Sequence, residues 1–523
     1  MAFDEQKQSG NSELRKKRRK KEQIQAFAVL LGAILVVILI VSGVVSGVNA
    51  LLGPKQEKQK AESVKQEPDK QEVAESEEQQ QSAADTEVAD TETTDAEVVT
   101  DTEETVAEEE TVVEELSEEE LEAKKAEILQ SYVDNIMSTL TLEEKIGQMY
   151  LVTPYNITGV VDVKSAGSSI SSALNQYGVG GILFDDGNME DKDQFTLMIN
   201  NIRSFSKLNM FYAVCDEGGE NSPFSLGGLR ENPLSSQSEI AAMGVAEAYS
   251  VGISKSSEFR NLGINLNLAP MTDVVTNTQS SIATQSYGVA ASEILTLAKS
   301  EFKGMKDQGI ECCIKYFPGH GDVTGDTKTT RVISQRTKEQ IDATEGVIYK
   351  GLIEEGVPMI MVSHVSMAKI SEGNVPASLS SEIVTDILRT EWGFDGVIVT
   401  DYMSKNAITR FYKHADAAVM AVQAGVDMIA APGDFQKSYN GVLEAVQSGE
   451  ITEERINESV ERILKMKYRN VIDYGLESEE NSIEEDTAAE EFTEEAATDE
   501  VTADEVTTEE ETTEDVESST ETE

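Results

Sequence analysis

The central part of the chain alternates between short apolar runs and longer stretches with helical spacing. The runs are Met149–Thr153, Gly181–Phe184, Phe211–Cys215, Ile264–Leu268, Cys312–Phe317, Met359–Ser363, Val397–Thr400 and Val426–Ala430. Between them, Glu239–Leu262, Ala290–Gln308 and Lys338–Glu355 read as helices. Strands alternating with helices predict a parallel sheet with crossover connections. About eight such units fit an α/β fold of the (β/α)8 TIM-barrel type with enlarged loops. An open doubly wound sheet is the structural alternative, but no glycine-rich nucleotide fingerprint follows the first run.

Polar residues stand where several runs end. Asp216 and Glu217 follow Phe211–Cys215, and Asp273 follows the step Leu268-Ala269-Pro270-Met271. Lys315 lies in the fifth run, His364 follows Met359–Ser363, and Asp401 follows Val397–Thr400. In a barrel these positions are the carboxyl ends of the strands, where active sites gather.

The flanks differ from this core. Net charge is −54, and residues 71–123 and 470–523 contain no Lys or Arg. Such acidic runs repel themselves and bury little apolar surface, so they are expected to be disordered. The same polyanionic balance disfavours nucleic acid as a partner. At the other end, Arg15-Lys16-Lys17-Arg18-Arg19-Lys20-Lys21 precedes an uncharged run over residues 26–48. As a helix that run is about 35 Å long, against a hydrocarbon core of about 30 Å. The expectation is a single-pass membrane anchor with a cytoplasmic N-terminus and an extracytoplasmic barrel; a cleaved signal peptide ending near Val48-Asn49-Ala50 is the alternative. The expected organisation is a basic stub at 1–25, a transmembrane helix at 26–48, an acidic linker at 49–123, a barrel at 124–474 and an acidic tail at 475–523. Three cysteines, Cys215, Cys312 and Cys313, make no disulfide framework.

Glycoside hydrolysis uses two groups flanking the bond, one to attack or activate water and one to move a proton. Lys315-Tyr316-Phe317-Pro318-Gly319-His320-Gly321-Asp322, continuing through Asp326-Thr327-Lys328, resembles the signature segment of family 3 glycoside hydrolases in the β-N-acetylhexosaminidase branch. Gly393-Phe394-Asp395-Gly396-Val397-Ile398-Val399-Thr400-Asp401-Tyr402-Met403 resembles the family segment whose aspartate is the nucleophile. The resemblance therefore implies Asp401 as nucleophile and a retaining mechanism through a glycosyl–aspartate intermediate. It also implies a β-linked amino-sugar glycan as partner, and neither a metal nor an organic cofactor.

Several positions depart from that pattern. The family's acid/base pair, Asp-His, falls on Asp326 and Lys328. A lysine's reference pKa is about 10.4 against about 6.5 for histidine, so proton exchange near neutrality needs a drop of roughly 3 units, or about 4 kcal/mol. Nearby carboxylates push the other way, which leaves Asp326 as the candidate acid. The sugar-binding aspartate falls on Cys215, with Asp216 one residue away as a substitute. The neighbouring arginine is Glu220, a second arginine is Gln285, and the sugar-contacting histidine after Lys315 is Tyr316. The candidate site is thus Asp401, Asp326 and Lys328 for catalysis, with Lys315, Tyr316, Asp216, Cys215 and Gln285 for substrate. His320 is expected to brace its loop, and no ligand-spacing motif supports a metal. Two classes of function remain open at this point. One is a membrane-anchored glycoside hydrolase acting on cell-wall or other β-linked glycans, and the other is a catalytically inactive barrel that binds glycan or scaffolds the cell wall.

Overall fold

The structure, a computed structural model, describes residues 117–474. The expected stub at 1–25, the span at 26–48, most of the linker at 49–123 and the tail at 475–523 lie outside the described residues. Among the described residues no helix is long and apolar enough to cross a membrane. The first helix among the described residues is Glu118–Thr139, which starts inside the segment expected to be linker. Its start is set by a capping box, in which Ser117 accepts from the Glu120 amide and Glu120 reaches back to Ser117.

The strands are β1 (Tyr150–Val152), β2 (Gly181–Leu183), β3 (Phe211–Val214), β4 (Leu266–Asn267), β5 (Glu311–Phe317), β6 (Val332–Ser334), β7 (Met359–Val362), β8 (Val365–Met367), β9 (Val397–Thr400) and β10 (Ile429–Ala430). Eight of them form one parallel sheet in the order β10-β1-β2-β3-β4-β5-β7-β9. A parallel bridge from Val399 to Met428 brings β9 back to β10 and nearly closes the barrel. Every apolar run named above contributes a strand to it. They read as continuous apolar runs because both faces are covered, one by the barrel interior and one by helices. β7 and β9, for example, are buried along their whole length.

Two helical stretches are interrupted. Glu239–Leu262 divides into Gln237–Met243 and Val245–Leu262 at Gly244, whose φ is +96°. Lys338–Glu355 divides into Lys338–Asp342 and Glu345–Glu354 at Thr344. A parallel ribbon of β6 with β8 has no counterpart in the apolar pattern. It matters because it ties the long loop after β5 to the segment following His364.

The seam between β9 and β10 is held by a buried carboxylate. Asp427 accepts the Ile398 amide of β9 at 2.9 Å and the Ser459 hydroxyl at 2.8 Å. Arg389 reaches it at 2.6 Å, Arg462 at 3.2 Å and Arg455 at 3.7 Å. One carboxylate therefore joins β9, the approach to β10, the helix Glu382–Glu391 and the last helix, Glu453–Tyr468. Removing one partner of a buried ionic cluster strands the others, at about 3–5 kcal/mol. Asp427→Asn, nearly isosteric but uncharged, is expected to lower unfolding stability by that amount in urea denaturation. An unchanged midpoint would show that the seam does not depend on this charge.

Candidate active site

The strand ends converge on one charged cluster. Asp401 directly follows β9, and its amide donates to the Val362 carbonyl at the end of β7 at 2.8 Å. Its residue is 2% exposed. One carboxylate oxygen accepts the Tyr402 amide at 2.7 Å, and the other accepts the Lys405 ammonium at 2.6 Å. Burial alone would raise the Asp401 pKa. The Lys405 charge, together with His364 and the Tyr402 amide, outweighs burial and holds it below the usual carboxylate range. Asp401 is therefore ionised and pre-positioned at neutral pH.

Lys315, in β5, is fully buried. Its ammonium lies 2.6 Å from Glu217, 2.7 Å from the Leu268 carbonyl and 2.8 Å from the Cys215 sulfur. Burial pulls its pKa down, but Cys215, Glu217 and the Tyr316 and Tyr402 rings around it hold the value well above that of an ordinary lysine. Tyr316 sits between the two ammonium groups, with Lys315 and Lys405 each 5.3 Å from its ring centroid.

The strand pleat separates Cys215 from Asp216. Consecutive residues leaving β3 point to opposite sides, so Cys215 faces Lys315 while Asp216 faces away. The Asp216 carboxylate is fully buried against Arg230 at 2.9 Å and the Gly218 amide at 2.9 Å. Arg230 in turn binds Glu258 at 2.6 Å. Asp216 thus belongs to the scaffold, and the carboxylate that the structure brings to Lys315 is Glu217. Gln285 is half-buried in a loop pinned where Ser286 donates to the Asp273 carbonyl at 2.7 Å.

The Pro318-Gly319-His320-Gly321 segment is shaped by its neighbours. Asp273 accepts the Tyr316 amide at 2.9 Å and the His320 amide at 2.5 Å. Burial, helped by nearby Glu345, raises the Asp273 pKa to about 7. A side chain on Gly321 would lie 2.2 Å from the Val274 carbonyl oxygen, so only glycine allows that approach. The His320 carbonyl accepts the Ser280 hydroxyl at 3.0 Å, and its buried Nδ1 has no hydrogen-bond partner among the described residues.

Farther along this loop, Asp326 accepts the Lys328 amide at 2.7 Å. The loop rests on the turn after Asp401, where the Ala407 amide donates to the Thr327 carbonyl at 3.0 Å and the Asn406 amide to the Lys328 carbonyl at 3.4 Å. Lys328 itself is exposed and makes no ion pair among the described residues. Asp326 is close enough to His320 to act on it electrostatically, as is Asp401. The structure thus brings Asp401, Lys315, Tyr316 and Cys215 into one cluster, with the backbone of the Asp326–Lys328 loop docked beside it. The sequence reading missed Lys405, and it named Glu217 only as a polar residue at a strand end, not as part of the site. Both are visible as charged residues four and two positions after a named site residue, but only the turn geometry points them inward. Among the described residues no group of three or more His, Cys, Asp or Glu is arranged to hold a metal ion.

Residues 141–466 match the family described as glycosyl hydrolase family 3 N terminal domain. The chain belongs to glycosyl hydrolase family 3. A β-hexosaminidase of Methylococcus capsulatus is 29% identical over 270 residues, 51% of this chain and 80% of that protein. β-Hexosaminidase A of Pseudoalteromonas piscicida is 26% identical over 336 residues, 57% of this chain and 54% of that protein. Among solved structures, a family 3 β-N-acetylglucosaminidase from Paenibacillus sp. str. FPU-7 is 30% identical with a TM-score of 0.59, covering 65% of this chain and 64% of that one. The chain thus spans about half the length of the Pseudoalteromonas relative and somewhat under two thirds of the Paenibacillus one.

His364 braces the turn that follows Asp401. Its Nε2 lies 3.0 Å from the Tyr402 carbonyl, which can only accept, so Nε2 carries the proton. Nδ1 then accepts the Ser378 hydroxyl at 2.8 Å. Burial, with Lys405 and His320 adding to it against the pull of Asp401, lowers the His364 pKa to about 4. A histidine depressed in the folded state contributes stability that is fully present above its unfolded pKa of about 6.5 and is lost as pH falls through its folded value. Wild type is therefore expected to lose up to about 3 kcal/mol more than His364→Ala between pH 6.5 and 4. Denaturation at several pH values checks this, and parallel pH curves for the two proteins would contradict it.

Proposed function

We propose that this protein is a retaining glycosidase for β-linked N-acetylhexosaminides, such as those of cell-wall glycans, anchored with its barrel outside the membrane. The observation that carries the reading is Asp401, an ionised carboxylate held by the ends of β7 and β9 in a family 3 barrel, beside Lys315 and Tyr316. In the first step an Asp401 oxygen attacks the anomeric carbon. The bond to the leaving oxygen breaks, and that oxygen keeps the electron pair and takes a proton from an acid, for which Asp326 is the candidate. Water then attacks the same carbon, the Asp401 oxygen departs with its electron pair, and the water proton passes to the base. The relatives named as β-hexosaminidases support an amino sugar as the substrate class.

The second reading, a silent glycan-binding barrel, is favoured by three observations. Cys215 stands at the expected sugar-binding aspartate position, Lys328 is exposed, and the Asp401 carboxylate is engaged by Lys405. An activated aryl β-N-acetylglucosaminide separates the readings, because its leaving group needs little acid assistance. The full-length chain is expected to release the aryl alcohol, and Asp401→Asn to lose about a thousandfold or more in kcat. With an unactivated glycoside, Asp326→Asn is expected to lose turnover while Lys328→Ala retains it. Absence of both release and a trapped sugar on Asp401 would favour the silent barrel.

The uncharged run at 26–48 after a basic cluster supports the anchor. Protease added to intact cells is expected to remove the barrel, and complete protection of it would contradict the outward topology.

A further inference from the structure

Lys405 occupies an unusual place for a cation. It precedes the short helix Asn406–Thr409, and its backbone is extended, at φ −64° and ψ 146°. Its side chain makes no cap for that helix and turns back towards β9. The ammonium ends 2.6 Å from Asp401, with only 11% of the lysine side chain and 3% of the aspartate side chain exposed. It also lies over the Tyr316 ring at 5.3 Å and the Tyr402 ring at 5.8 Å. Two rings and a carboxylate therefore fix its position, and little solvent screens the pair.

We propose that Lys405 is a positioning residue that sets the balance between formation and breakdown of the glycosyl–Asp401 intermediate. The inference rests on the glycosidase reading above. In the first step Asp401 gives an electron pair to the anomeric carbon, and an ammonium on its carboxylate lowers that electron density. In the second step the same carboxylate is the leaving group. Negative charge returns to it as the carbon–oxygen bond breaks, and the ammonium stabilises that charge in a water-poor site. Lys405 thus slows glycosylation and speeds deglycosylation, and the covalent intermediate does not accumulate.

Other charged and titratable groups face Asp401 as well. His364 comes from the end of β7, Tyr402 from the same turn, Tyr316 from β5 and His320 from the loop after it. None of them places a formal positive charge on the carboxylate at neutral pH, since burial and Lys405 lower the pKa of both histidines. The acid limb of the rate profile reports Asp401, whose carboxylate lies against Lys405, together with His364, which titrates at about 4.

The test is pre-steady-state release of the aryl alcohol from a dinitrophenyl β-N-acetylglucosaminide by the full-length chain. Wild type is expected to show no burst. Lys405→Met is expected to show a burst approaching one equivalent, with deglycosylation slowed by about 10- to 100-fold. Its acid limb in kcat/KM should move up by about 1–3 pH units, the size of shift that an adjacent opposite charge produces. Lys405→Arg, which keeps the charge, should restore the burst-free profile. A merely structural lysine would lower kcat without a burst and without moving the limb. Wild-type turnover lost in Asp401→Asn, together with no burst and an unmoved limb in Lys405→Met, overturns the role of Lys405 and leaves the glycosidase standing. A wild type without turnover on this probe overturns both.

Discussion

The barrel depends on Asp427. Seven of the eight neighbouring strand contacts are ladders in one continuous order, but β9 and β10 meet through a single bridge, Val399 to Met428. At that seam the carboxylate of Asp427 accepts from the β9 backbone while three arginines from two helices converge on it. Burying one charge among three opposite ones is tolerable only because each guanidinium has further acceptors. Arg389 donates to the Gly396 carbonyl at 2.8 Å and Arg455 to the Val426 carbonyl at 2.8 Å. β9 is also the strand that delivers Asp401. The seam and Asp401 are thus two ends of the same four residues, so the amino-end cluster fixes the frame in which the carboxyl-end cluster is built.

At the carboxyl end, most buried charges come in neutralised pairs, Asp273 being the exception, with its pKa raised by burial to about 7. Asp401 has Lys405, Lys315 has Glu217, and Asp216 has Arg230. A pocket whose charges are already paired has little net pull on ions and presents directed donors and acceptors. The residues that differ from the family pattern respect this pairing. Cys215 removes a carboxylate beside Lys315, and Glu217 stands 2.6 Å from the same ammonium. A loss that would isolate a buried cation is thereby covered from two positions along the same chain segment.

The sequence made the barrel legible because strands covered on both faces must be apolar throughout, and such runs stand out. The β6–β8 ribbon did not, because three-residue strands in a loop carry no period long enough to detect. Gly244 was visible as a glycine, but the break it makes in the Glu239–Leu262 stretch depends on its left-handed φ. The site was legible where a motif has a physical cause, as with Gly321, which must let the loop approach Val274. The ambiguity between Cys215 and Asp216 is one of register, and the pleat resolves it by turning successive side chains to opposite sides. Lys405 stayed hidden for another reason. A charge four residues after Asp401 reads as an ordinary helix-face pair, whereas the connecting residues form a turn that folds the ammonium back into the pocket.

The loop carrying Asp326 and Lys328 shows why a missing histidine need not disturb the fold. Its contacts with the turn after Asp401 run from backbone amides at 406 and 407 to backbone carbonyls at 328 and 327. Such bonds are indifferent to the side chain at either end. Lys328 can therefore replace any residue at that place and simply extend into solvent. The turn beneath is the one that aims Lys405, so the loop rests on the element that pairs the Asp401 carboxylate. Separating the loop from this turn requires breaking these two backbone bonds, each worth about 1 kcal/mol net. That is a population cost of roughly tenfold to thirtyfold. A chain with this arrangement does its charge-handling from side chains on rigid strand ends and their first turns.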